Sequence, residues 1–155
     1  MKKIRMVLAS LTVFLAGFAL CFAEDANMGT WKLNETKSKL SSGAPKNGTV
    51  AYTAAGDEVK VTVDGVDAEG KATHNEWTGN FDGKDYPVTG DATSDVRSYK
   101  RIDDRTLEFT AKKGSNVTLT GRVAVSADGK TRTVTTTGTD AKGGKISATA
   151  VYDKQ

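Results

Sequence analysis

His74 and Glu76 stand two residues apart in Thr73-His74-Asn75-Glu76-Trp77. On an extended strand that spacing puts both side chains on one face. This is half of a metal site. A catalytic zinc takes three protein ligands, and the neighbouring sequence supplies no convincing third, so a solvated polar strand face accounts for the pair. Asp64, Asp67 and Glu69 offer carboxylates to a calcium ion. The spacing of an EF-hand loop and its closing bidentate Glu are missing, and an ordinary solvated hairpin explains them. His74 is the only histidine, and no Gly-x-Ser-x-Gly elbow accompanies it. The remaining carboxylates are scattered over turns, without the burial that drives the pKa values of an acid–base pair apart. No glycine-rich loop opens a helix to hold phosphate. The expectation is a protein that is not an enzyme and calls for neither metal nor cofactor.

The large side chains carry more. Trp77, Arg97, Tyr99, Phe109 and Tyr152 lie on segments of alternating polarity. They are the candidate ligand-binding residues. The aromatic rings either line an apolar cavity or fill it, since small barrels are often filled by their own side chains. The ligand contacts that these residues offer are apolar area from the rings and polar contacts from Tyr152, with Tyr99 or Arg97 adding more.

Period-two alternation is the rule along the chain. Glu58–Asp64, Thr106–Lys112, Asn116–Thr120 and Lys145–Ala150 each put apolar residues on one face and Thr or charge on the other, as in an antiparallel strand with one wet side. Further strands are expected at Gly29–Asn34, Thr49–Ala54, Thr73–Thr78, Val96–Arg101 and Arg132–Thr139, with a short one through Tyr86 and Val88. Pro87 puts that one at an edge or bend. Gly56, Gly83, Gly114, Gly129 and Gly143 sit in the turn sequences between them. Only Glu35 to Lys46 could hold a turn or two of helix, and Pro45 limits it. Val61-Thr62, Gly65, Asp67-Ala68 and Gly70 recur as Val134-Thr135, Gly138, Asp140-Ala141 and Gly143. Two hairpins of similar length explain so few matches without a duplication.

The first segment reads as an address. Lys2, Lys3 and Arg5 precede an apolar run from Met6 to Phe22, which ends in the small-residue exit Cys21-Phe22-Ala23. This is the order of a secretory signal peptide over 1–23, cleaved after about Ala23. A membrane anchor or lipidation at Cys21 is the alternative, although Leu20 is a poor residue before a lipidated cysteine. The domain then spans 24–155. The whole chain carries 22 Lys+Arg against 19 Asp+Glu; without the leader's three basic residues the balance is 19 against 19. A neutral chain has no electrostatic case for nucleic acid. Cys21 is the only cysteine, so the domain must hold its fold by packing and hydrogen bonds.

Short strands joined by tight turns lead to an all-β fold: a single antiparallel up-and-down β-barrel of about 8–10 strands. The ends of the domain carry a resemblance. Gly29-Thr30-Trp31-Lys32-Leu33 resembles the Gly-x-Trp opening of the calycins, the lipocalins and fatty-acid-binding proteins. The resemblance implies that Gly29 and Trp31 form the structural base at the closed end of a lipocalin-like barrel. Ala150-Val151-Tyr152 is similar to the Arg-x-Tyr ending of fatty-acid-binding proteins, with Tyr152 on the Tyr and Ala150 where that family has its carboxylate-gripping Arg. The two helices that follow the first strand in that family have no room between Leu33 and the next strand. The functional expectation is an exported carrier or binder of a small hydrophobic ligand inside the barrel. It would be periplasmic or secreted, monomeric, and without an integral membrane span after cleavage. The alternative is a filled barrel serving as an envelope structural or protein-interaction module.

Overall fold

The computed structural model describes residues 25–41, 44–139 and 143–155. The segment 1–23 expected to be a leader, with Cys21, the paired Asp140-Ala141 of the weak internal similarity and part of the stretch from Glu35 to Lys46 lie outside the described residues. Ten strands follow in order: β1 (Gly29–Leu33), β2 (Lys46–Ala55), β3 (Glu58–Val66), β4 (Ala72–Gly79), β5 (Tyr86–Thr89), β6 (Val96–Asp103), β7 (Thr106–Lys113), β8 (Asn116–Val125), β9 (Thr131–Thr139) and β10 (Lys145–Lys154). Each pairs antiparallel with its neighbours in sequence, and β1 pairs with β10 to close a barrel. Closure removes the sheet edges that would otherwise recruit other chains.

The up-and-down path gives the barrel two distinct ends. The near end holds the start of β1, the end of β10 and the β2–β3, β4–β5, β6–β7 and β8–β9 connections. Gly56 and Gly114 supply φ +65° and +56° in the β2–β3 and β7–β8 turns, a conformation that costs glycine little. The strands run past the expected limits at several places. The segment expected at Asn116–Thr120 continues to Val125. It passes through Gly121, over which the Phe109 ring of the paired strand lies; a Cβ there would meet that ring at 2.5 Å. The ring covers the strand where glycine leaves a gap, so the ladder continues. Among the described residues between β1 and β2, the one helical turn is a 3-10 turn at Glu35–Lys37, capped by Asn34, whose side chain accepts the Lys37 N–H at 3.2 Å.

The inward positions form one core: Trp31, Val50, Tyr52, Val61, Val63, Trp77, Val88, Tyr99, Leu107, Val123, Val125 and Tyr152 are all buried. Outward positions carry Thr and charge, as the cross-strand row Thr110, Thr120, Thr137 and Ser147 illustrates.

Candidate functional site

Alternation along β9 puts Arg132 and Val134 on the inward face, among apolar neighbours. Arg132 pairs in register with Tyr152 on one side and Val125 on the other. Its relative exposure is 3%, and its Nε and Nη1 make no hydrogen bond. Among the described residues no carboxylate forms an ion pair with it. Three rings surround the guanidinium instead: Tyr152 at 4.9 Å, Tyr52 at 5.0 Å and Trp31 at 5.6 Å from its carbon. Ring faces attract a cation, but they leave the N–H donors unanswered. Burial pushes the Tyr152 phenol above its ordinary pKa, with Arg132 opposing. Burial pushes Tyr52 up as well, against the same guanidinium. Both phenols therefore remain neutral donors beside a permanent cation.

Trp31 has no exposed surface and donates its indole N–H to the Asn27 carbonyl at 2.8 Å. Lys154, at the near end of β10, holds its Nζ 5.3 Å from the same ring. Gly29 lies beside it, where a Cβ would meet the Lys154 stem at 3.0 Å.

The other residues expected at the site form a second aromatic group. Trp77 packs edge-on against Tyr99 at 4.8 Å and stacks on Phe81 at 6.2 Å, and Tyr99 meets Phe109 at 5.8 Å. Such contacts add to the large apolar area each ring buries. The Trp77 indole N–H donates to the Arg97 carbonyl at 2.8 Å. Arg97 points inward, but its guanidinium is 2.9 Å from Asp91. Burial would raise the Asp91 carboxyl, yet hydrogen bonds from Ser94 and Thr93 outweigh it and hold it low. The charge of Arg97 is thus answered within the fold, whereas that of Arg132 is not. Trp77, Tyr99 and Phe109 come together; Tyr152 lies in the Arg132 cage.

Arg132 was not among the expected site residues. Its signal is a charged side chain in phase with Val134 on a strand whose other face is Thr131, Thr133 and Thr135.

The interior changes along its axis. Near the Arg132 end Trp31, Tyr52, Leu107 and Val123 are buried. Towards the far end the inward-facing Phe109, Leu119, Val134, Ala148 and Ala150 stay partly exposed. Two open depressions, of about 410 and 400 Å³, lie on β7–β10 and meet at the outward-facing Thr120 and Thr137.

His74 lies on the outer face. Its Nδ1 is 2.6 Å from Asp64, its cross-strand neighbour, and its Nε2 is 3.4 Å from Glu76. Glu76 also pairs with Lys60 at 2.8 Å. Among the described residues no group of three or more His, Cys, Asp or Glu side chains could hold a metal ion. Asp67 closes its own loop by accepting the Glu69 and Lys71 N–H groups. Among the described residues no helix is long and apolar enough to cross a membrane. In comparisons with known proteins, no family model matches this chain, and no curated protein matches it either.

Proposed function

We propose that this protein is an exported, non-enzymatic, lipocalin-like binder of a small, mostly apolar molecule with an acidic head, held inside the barrel. The observation that carries the reading is Arg132: a buried guanidinium with Nε and Nη1 both unanswered. Leaving a buried charge unpaired costs several kcal/mol even after relaxation. Nε and Nη1 lie on either side of the side-chain Cδ, and an anionic oxygen would answer each of them with a charge-assisted hydrogen bond. The Tyr52 and Tyr152 rings lie 5.0 and 4.9 Å from the guanidinium carbon as neutral phenols. The tail would run towards the far end, along Val134, Ala150, Phe109 and Leu119. The closed barrel and the Gly29-x-Trp31 opening agree with the calycin-like resemblance.

A second reading rests on the tight contacts among Trp77, Tyr99, Phe81 and Tyr52. These rings fill the near half, as in a structural or protein-interaction module with no small-molecule site. Native mass spectrometry of protein purified from its own source separates the two. The binder reading expects a retained mass that is released as an acidic, apolar molecule. Bare protein, with no displacement of an apolar dye by lipid extracts, would favour the filled barrel. The intact mass of the same sample reports whether the chain is cut after Ala23.

A further inference from the structure

Asn47-Gly48 is the one Asn-Gly step in the sequence, and the fold sets it at an irregularity of the barrel wall. The β2–β3 ladder pairs Asn47 with Gly65 and Thr49 with Asp64, and its register skips Gly48. The β1–β2 ladder stops at Lys32 and Thr49. Gly48 is thus the extra residue of a β-bulge, without a partner in register in either neighbouring strand. A bulge leaves its extra residue out of the pairing and disrupts the ladder locally. Asn47 is exposed. Among the described residues no group hydrogen-bonds to its side-chain amide.

The main-chain nitrogen after an asparagine is the fifth atom of a ring that closes on the side-chain amide carbon, and asparagine is thermolabile through this reaction. Two things ordinarily oppose closure. A side chain on the following residue crowds the nitrogen, and a regular ladder fixes the backbone. Gly48 removes the first obstacle, and the bulge relaxes the second.

We infer that Asn47 is a self-modification site, converted by its own backbone and water to aspartate and isoaspartate. The Gly48 nitrogen bonds to the Asn47 side-chain carbon, the bond from that carbon to the side-chain nitrogen breaks, and ammonia leaves with the proton of the Gly48 N–H. One water then opens the succinimide. Attack at the side-chain carbonyl gives aspartate; attack at the main-chain carbonyl gives isoaspartate, with the chain running through the former side chain. One water enters, one ammonia leaves, and nothing is oxidised or reduced.

The competing positions are better protected. The other described asparagines precede Met28, Glu35, Glu76, Phe81 and Val117, whose side chains crowd the nitrogen. Three Asp-Gly steps share the small neighbour, but an ionised carboxylate is a poor target for a nitrogen. The Asp82 carboxylate accepts the Lys84 N–H at 3.0 Å, and that of Asp128 accepts the Ser126 hydroxyl at 2.6 Å and the Lys130 N–H at 3.0 Å. These bonds hold both carboxyls below the ordinary range. Asp64 is held by His74 at 2.6 Å.

The isoaspartate form has a structural consequence. β2 and β3 approach closely at this point: a Cβ on Gly65 would stand 2.1 Å from the Lys46 carbonyl oxygen and 3.0 Å from the Asn47 Cα. A main chain one carbon longer does not fit that register, so the β-linkage loosens the strand pair. Aspartate with its normal linkage adds a charge to an exposed position and leaves the register alone.

The test incubates the purified protein at mildly alkaline pH, folded and in urea, and follows each asparagine by peptide mass spectrometry, with isoaspartyl methyltransferase labelling for the β-linkage. Asn47 is expected to convert first, at a folded-state rate within roughly tenfold of the unfolded one. A larger suppression, corresponding to a barrier raised by more than about 1.4 kcal/mol, would overturn the inference, as would equal conversion at the other asparagines. Gly48→Ala is expected to slow the reaction several-fold without disturbing the fold. Its Cβ would meet only the Asp64 carbonyl oxygen, at an ordinary 3.6 Å, and Gly48 is not among the glycines with positive φ. An unchanged rate in that variant would overturn the ring-closure route. The isoaspartate fraction is expected to show a lower urea midpoint than fresh protein, and Asn47→Asp to keep the wild-type midpoint. Equal midpoints for isoaspartate and fresh protein would overturn the loosening of β2 from β3.

Discussion

Arg132 and Tyr152 face each other across the β9–β10 ladder, with the tyrosine ring 4.9 Å from the guanidinium carbon. The resemblance to fatty-acid-binding proteins puts a gripping Arg at position 150, where this chain has Ala. The fold brings a guanidinium to the same tyrosine from the adjacent strand. An inward charge on an apolar face is costly unless something compensates it.

Removing that charge from the ligand-free protein should therefore stabilise it. Arg132→Met keeps the stem among the rings and deletes the uncompensated cation. The expected gain is about 1–3 kcal/mol, read as a higher urea midpoint at unchanged slope. A lower midpoint would mean that the three ring contacts outweigh the desolvation of the guanidinium.

Gly121 is needed for its missing side chain. A Cβ there would stand 2.4 Å from the Thr135 carbonyl oxygen and 2.5 Å from the Phe109 ring. Gly121→Ala should cost about 1–3 kcal/mol by overpacking and should shift the Phe109 ring resonances. Wild-type stability in that variant would show that the barrel wall yields at this point.

Trp77 tests whether the near half is filled. It is 1% exposed and touches Phe81, Tyr86 and Tyr99. Trp77→Ala should cost about 3–5 kcal/mol, the range for losing a large ring from a close-packed core. A loss below about 1 kcal/mol in the denaturation curve would place the indole against empty space instead.

His74 and Asp64 give a pH signature on the outer face. The hydrogen bond to Asp64, then that to Glu76, raises the His74 pKa above its ordinary value. A raised folded-state pKa makes the stabilisation complete below the unfolded value. It is lost as pH rises through the folded value. The His74 ring protons should titrate with a midpoint above about 6.5, and Asp64→Asn should bring it down. A wild-type midpoint at or below the ordinary value would contradict the geometry.

Much of this architecture was legible in the residues, because strict alternation and glycine turns are local signals. Even the short β5 was marked by Tyr86 and Val88 around Pro87. The inward placement of Trp77, Tyr99, Phe109 and Tyr152 follows from the same period. What alternation could not supply was partnership. Arg97 and Arg132 are both inward arginines, yet only Arg97 finds a carboxylate, Asp91, from the loop before β6. That difference depends on how one connection folds back on the barrel, and no strand pattern encodes it. The Asp25–Arg101 ion pair was hidden for the same reason: the two residues stand seventy-six positions apart along the chain.

The central claim is that Arg132 holds an acidic head inside the barrel. The most direct measurement compares the affinity of cis-parinaric acid with that of its methyl ester, for wild-type protein and for Arg132→Met. Charge-assisted hydrogen bonding to the guanidinium should favour the acid at least roughly tenfold in the wild type, and the preference should vanish in the variant. Equal affinity for acid and ester in the wild type, or a preference that survives Arg132→Met, would contradict the account.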